Sequence, residues 1–257
     1  MLALTDLLPF PLIDLLPFIL VGFAAQLVDG ALGMAFGVIS STLLLSLGVT
    51  PAAASAGVHT VESFTSAASA ISHVAHRNVD WRLFGRLAVA GVVGGVLGAY
   101  TLANVAAEVA RPIVLVYLSA IGIYLLWRGL KYPPREREPR MVVPLGLVGG
   151  FLDAAGGGGW GAVVTSNLLV QGVSPRKTIG TVSTAEFFLT VTVSATFIAA
   201  LGVEAFTVAT VGLLIGGVVA APLGAFVAAR VPAKPLLIVV GLVLILTSAY
   251  GIYSALA

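Results

Sequence analysis

Asp29-Gly-Ala-Leu-Gly-Met-Ala-Phe-Gly37 and Asp153-Ala-Ala-Gly-Gly-Gly-Gly-Trp-Gly161 are two versions of one stretch, 124 residues apart. Each places an acid and a run of glycines between strongly apolar segments. Glycine weakens a helix by roughly 1 kcal/mol per residue relative to alanine, so both stretches read as helix breaks. A broken helix frees backbone N–H and C=O groups, and these survive at membrane depth only beside packed protein or a water-filled cavity. The acid is the second signal. An ionisable group at the centre of a bilayer costs at least about 2.5–3.5 kcal/mol, and such groups mark ion or substrate pathways.

The same offset pairs more than the breaks. It matches Gly22 with Gly146, Gly48-Val49 with Gly172-Val173, Pro51 with Pro175, Thr60 with Thr184, Glu62 with Glu186 and Phe64 with Phe188. Leucine coincidences mean little in so apolar a chain, but matched Gly, Pro, Thr and acid positions indicate an internal duplication. Between the copies lies Lys131-Tyr-Pro-Pro-Arg-Glu-Arg-Glu-Pro-Arg140, whose charges and three prolines make a solvent-exposed linker. The expected organisation is one integral membrane domain: a first repeat over 1–130, a linker over 131–141 and a second repeat over 142–257.

Composition agrees. Of 257 residues, 59% are hydrophobic and 9% charged, where a soluble domain carries roughly 25% charged residues. Mean hydropathy is +1.08. Several apolar runs reach the ~20 residues that cross a bilayer as a helix. The basic residues stand at the edges of these runs rather than in a patch, which argues against nucleic-acid binding. There are no cysteines, hence no disulfides or thiolate metal sites. Residues 1–17 lack a basic leader and contain Asp6 and Asp14, so a cleaved signal peptide is not expected.

Each half divides into five apolar segments. In the first they are Leu12–Asp29, Gly33–Leu47, Pro51–His76, Leu83–Leu102 and Val109–Leu130. In the second they are Val142–Asp153, Gly157–Gln171, Pro175–Leu201, Val203–Ala229 and Pro235–Leu256. The first two of each half are short, and either span at a tilt or form a hairpin around the glycine break. Both alternatives give an odd number of crossings, so the second half enters the membrane upside down. The expected fold is therefore all-α: two inverted repeats, each with a glycine-broken helical hairpin and three long transmembrane helices, the plan of many secondary transporters. With this layout, twelve of the thirteen Lys and Arg residues fall on one side and only Arg111 on the other. The basic side is expected to be cytoplasmic. Both termini would then lie outside and the linker inside, in the cell (inner) membrane of a prokaryote.

The third segment carries a polar stripe, Ser55, His59, Glu62, Ser66, Ser69, His73 and His76, at the spacing of one helix face. Its counterpart holds Ser183, Glu186, Thr190 and Ser194. For a lone Ser or Thr the simpler reading is glue between helices. A carboxylate is poor glue, so Glu62 and Glu186 are read as functional. A carboxyl withdrawn from water favours its neutral form, which makes Asp29, Glu62, Asp153 and Glu186 the candidate proton-coupling groups. The candidate substrate contacts are Gly33, Phe36, Gly37, His59, Thr60, Gly157, Gly158, Trp160, Gly161, Ser183 and Thr184. Helix starts near Gly33 and Gly157 would aim their positive ends at an anion, and Phe36 and Trp160 would wall the site. Packing is the competing explanation for His59, and close helix contact for glycines such as Gly91, Gly94, Gly95, Gly98, Gly216 and Gly217.

These motifs resemble the TauE/SafE family of sulfite exporter-like permeases. The run Gly22-Phe-Ala-Ala-Gln-Leu-Val-Asp-Gly-Ala-Leu-Gly-Met-Ala-Phe-Gly37 is similar to its first glycine-rich motif. Gly149-Gly-Phe-Leu-Asp-Ala-Ala-Gly-Gly-Gly-Gly-Trp-Gly161 is similar to its second, and each precedes a Gly-Val-[Thr/Ser]-Pro turn. The resemblance covers essentially the whole chain and implies a transporter, often an exporter, of small sulfur-containing anions such as sulfite or organosulfonates. The expected partners are that anion, protons and the lipid bilayer. A cation or metal-ion carrier using the buried carboxylates is the alternative. No His-Glu-x-x-His motif supports an intramembrane protease, and no Walker A loop or other cofactor motif occurs, so neither catalysis nor ATP-driven transport by this chain is expected.

Overall fold

A computed structural model describes residues 12–32, 34–130, 139–171, 173–202, 208–230 and 233–256. Among these the regular elements are all helical. The first half gives α1 (Leu12–Leu32), α2 (Phe36–Ser46), α3 (Pro51–Ala75), α4 (Trp81–Asn104) and α5 (Ala107–Leu130). The second gives α6 (Val142–Gly156), a π-helical turn (Gly161–Thr165) that runs into α7 (Ser166–Gln171), then α8 (Pro175–Leu201), α9 (Val208–Arg230) and α10 (Ala233–Leu256). The expected segments fall on these helices with ends shifted by a few residues. Gly33, Gly172 and most of the linker lie outside the described residues.

Local chemistry sets the boundaries. Thr50-Pro51 and Ser174-Pro175 open α3 and α8 with proline in the first turn, where its missing N–H costs nothing. Asp80 caps α4 by accepting from the amides of Arg82 (3.0 Å) and Leu83 (3.1 Å). Replacing Asp80 with alanine should lower stability by about 1 kcal/mol, and with asparagine by only a few tenths; thermal unfolding in detergent would read the difference. Arg111, the one cation set apart in sequence, donates to the Leu45 carbonyl at 2.7 Å and so caps the C-terminal end of α2.

Three helical stretches among the described residues are long and apolar enough to cross a membrane by themselves: Trp81–Asn104, Ala107–Trp127 and Lys177–Leu201. Phe36–Ser46, Val142–Gly156, Val208–Ala220 and Gly241–Tyr250 are shorter apolar stretches. The 25-residue α3 is long enough, but its polar stripe dilutes its hydropathy. Large apolar side chains such as Val89, Val93, Tyr100, Ile113 and Ile123 point outward, each about half to two-thirds exposed. Such a surface suits lipid and not water.

Packing follows the duplication. The principal contacts are α1 with α9, α4 with α6, α5 with α10, and α3 with α8. Exchanging the halves turns the first two pairs into one another and maps the last two onto themselves. Glycine makes the close pairs possible: Gly94 and Gly98 lie against the backbone of Leu147 and Phe151, and Gly216 against that of Ile19 and Phe23. The helix-packing explanation therefore holds for these glycines. At the centre, the hydroxyls of Ser66 and Thr190, themselves 124 residues apart, approach to 3.5 Å, and those of Thr60 and Ser194 to 3.4 Å. Further along, Thr181 accepts from the Asp80 amide at 2.9 Å and Lys177 donates to the Val79 carbonyl at 3.2 Å. As the α3 residue number rises its α8 partner falls, so these equivalent helices run antiparallel.

Candidate functional site

The two glycine breaks meet. A Cβ built on Gly37 would lie 2.8 Å from the Gly158 Cα and 3.0 Å from Glu62 Oε1. Only glycine allows these two backbones to touch with a carboxyl group beside them. Gly157, Gly158 and Gly159 adopt φ of +76°, +137° and +136°, conformations that L side chains adopt only under strain. The four-glycine run is thus required by backbone shape as well as by crowding.

In each break the acid performs the same local task. Asp29 Oδ1 accepts from the Phe36 amide at 3.2 Å, and Asp153 Oδ1 from the Trp160 amide at 2.7 Å. Both bonds span seven residues, and they coincide under the 124-residue offset. This corrects the expectation that the helix starts present bare positive ends to a ligand: the chain's own aspartates already occupy these amides. Acids seven residues ahead of Phe36 and Trp160 satisfy donors that a broken helix would otherwise orphan.

Asp153 also bridges to the other half. His59 Nε2 is 2.9 Å from Asp153 Oδ2, and His59 Nδ1 is 2.7 Å from the Ser55 carbonyl. Both ring nitrogens face acceptors. Nδ1 must carry a hydrogen for the carbonyl, so a further proton must sit in the Nε2–Oδ2 hydrogen bond. The Ser55 hydroxyl donates to the Ala154 carbonyl at 2.7 Å. Ser41 donates to the Gly157 carbonyl, and Tyr117 to that of Gly158 at 3.1 Å. His59 and Asp153 are 0% and 2% exposed, so this proton-bearing pair is cut off from solvent.

The other candidates are distributed around this core. Glu62 is buried, while Asp29 and Glu186 are half-buried. Glu62 is within electrostatic reach of Asp29, Asp153 and Glu186, and Glu186 within reach of Asp29 and Asp153. The four acids therefore form one field. Among the described residues, however, no three His, Asp or Glu side chains converge tightly enough to hold a metal ion. Thr60 and Thr184 donate to the carbonyls of Ala56 (2.8 Å) and Gly180 (2.7 Å), one turn back in their own helices. Ser183 is buried, and Gly161 begins the π-helical turn. Trp160 is fully buried against Gly91 and Gly149, with Nε1 donating to the Val182 carbonyl at 3.3 Å; Phe36 is buried near Gly217. Both aromatics pack the walls of the breaks. Gly33 lies outside the described residues.

The sequence reading missed Ser41 and Tyr117. A tyrosine in an apolar span needs a hydrogen-bond partner when buried, and that signal was present at Tyr117. Nothing in the sequence points to the Gly158 carbonyl as its acceptor.

The profile of the family described as Sulfite exporter TauE/SafE matches residues 18–251, nearly the entire chain. The chain belongs to the TauE/SafE family. It is also 42% identical over 238 residues to the "Probable membrane transporter protein YtnM" of Bacillus subtilis (strain 168), an alignment covering 89% of this chain and 79% of the relative. Family membership, the apolar helices and the outward apolar surface together make the chain an integral membrane transporter. For a TauE/SafE protein, the crossed glycine breaks and the four acids around them are the natural place to look for substrate.

Proposed function

We propose that this TauE/SafE protein is a secondary transporter that exports a small anion, sulfite or an organosulfonate, in exchange for protons. Substrate binds near the bilayer midplane between two repeats of opposite orientation. The observation that carries this reading is the crossing of Gly37 over Gly158 beside Glu62. It joins both broken helices and a buried acid at one point, supplying backbone without side-chain obstruction. The antiparallel run of α3 and α8 and the exchange of helix pairs between halves support the inverted arrangement. Glu62 and Glu186 are the proton carriers in this account. Asp29 and Asp153 orient the helix starts, and the glycines and Ser183 face the anion. The alternative cation carrier lacks a converging ligand set among the described residues.

Purified protein in liposomes should exchange internal sulfite or methanesulfonate for external labelled sulfite, and an imposed proton gradient should drive net movement. Glu62→Gln/Glu186→Gln should retain exchange yet lose the response to the gradient. Unchanged coupling in that double variant would contradict the proton role. Absence of exchange for every sulfur anion tested, in folded protein, would contradict the substrate class.

A further inference from the structure

The two breaks are equivalent in sequence but not in how they are fastened. Four hydrogen bonds secure the second: Ser41 to Gly157, Ser55 to Ala154, Tyr117 to Gly158, and His59 to Asp153. The first break has none of their counterparts. The position equivalent to His59 is Ser183, whose short side chain cannot reproduce an imidazole bridge to Asp29. The equivalent of Ser55 is Ile179, which has no polar atom. The equivalent of Ser41 is Thr165, 1% exposed, whose hydroxyl has no partner. No aromatic residue occurs in α10 before Tyr250 to play the part of Tyr117.

Packing diverges in the same sense. α6 lies directly on α3, whereas α1 makes no comparable contact with α8. Accordingly Asp153 and Glu62 are buried while Asp29 and Glu186, their equivalents on the first-break side, are half-buried. A cleft between α1 and α8, with Asp29, Ser183 and Glu186 beside it, replaces the sealed junction of the other break.

We propose that this cleft is the aqueous access path of the present conformation and that the His59–Asp153 pair is the closed gate on the opposite face. The inference rests on the transporter reading and deepens it by assigning the path. Ser183 stands eight residues into α8, and His59 eight residues into the oppositely directed α3; each is therefore about 12 Å from its own helix start, at opposite ends of the pair. The start of α8, with Arg176 and Lys177, belongs to the basic side of the chain. The cleft thus opens to the cytoplasm, and the gate closes the outer face.

The natural absence of cysteine makes the test direct. Single cysteines replace Ser183, Ile179 and Ser55, and each variant meets a charged, membrane-impermeant methanethiosulfonate in sealed vesicles of either orientation. Ser183→Cys and Ile179→Cys should react from the cytoplasmic face at least tenfold faster than Ser55→Cys, with no reaction from the outer face. Equal or faster modification of Ser55→Cys, or modification of Ser183→Cys from outside only, would overturn the proposal. So would silence at both cleft positions in protein that elutes as a folded species. Labelling needs no substrate, so a wrong substrate class leaves this result standing, and a failed cleft leaves the exchange assay standing.

Discussion

Gly158→Ala should leave little folded protein. The new methyl group would lie 2.6 Å from the Gly37 Cα and 2.7 Å from the Val38 nitrogen, both backbone atoms that cannot swing aside. It would also impose φ near +137° on an L residue. Overpacking of a tight core costs typically 1–3 kcal/mol and an unfavourable backbone conformation a further 1–3 kcal/mol, so a combined loss of about 3–5 kcal/mol is expected. That is a large part of the stability of an ordinary domain. Gly48→Ala is the control. Gly48 has φ of +90° with nothing within 4 Å of the added carbon, so it carries strain without crowding and should cost only about 1–2 kcal/mol. Yield of monodisperse protein and thermal midpoint in detergent would rank the two. Equal losses would mean that the two breaks do not touch.

Removing the imidazole of His59 is expected to be the next most damaging change. His59→Ala leaves Asp153 with the Trp160 amide for one oxygen and nothing printed on the chain for the other. Breaking a buried pair by deleting one partner costs about 3–5 kcal/mol, because the remaining charge is stranded. His59→Ala/Asp153→Ala should therefore be less destabilised than the sum of its single changes, by 0.5–3 kcal/mol in the usual range for interacting residues. The double variant also loses the cap on Trp160, so it should not return to wild-type stability. Strict additivity across the cycle would remove the pair from the account.

Much of this architecture was legible in the sequence because it is written as repetition. Gly, Pro, Thr and acid positions recurred at one offset, and hydrogen bonds such as Asp29–Phe36 and Asp153–Trp160 recur at the same offset. Segment boundaries were legible because Thr50-Pro51, Ser174-Pro175 and Asp80 are strong local signals that need no tertiary context. The role of the aspartates was harder to see. A carboxylate before a glycine run fits a proton carrier and a helix cap equally well, and only the geometry of the returning amide separates them. Hydroxyl roles were illegible for a related reason. Thr60 and Ser183 lie on the same kind of helix face, yet Thr60 spends its proton on its own backbone. The different fastening of the two breaks depends on pairs such as Ser41 with Gly157, more than one hundred residues apart, and no periodicity reports them.

The central claim is that equivalent helices enter the bilayer from opposite faces and bring their glycine breaks together inside it. Thr50 and Ser174 precede α3 and α8 at equivalent positions, 124 residues apart, and each can be replaced by a single cysteine. In intact cells an impermeant thiol reagent should label Thr50→Cys at once and Ser174→Cys only after the membrane is permeabilised. Labelling of both positions from the same face would contradict the account.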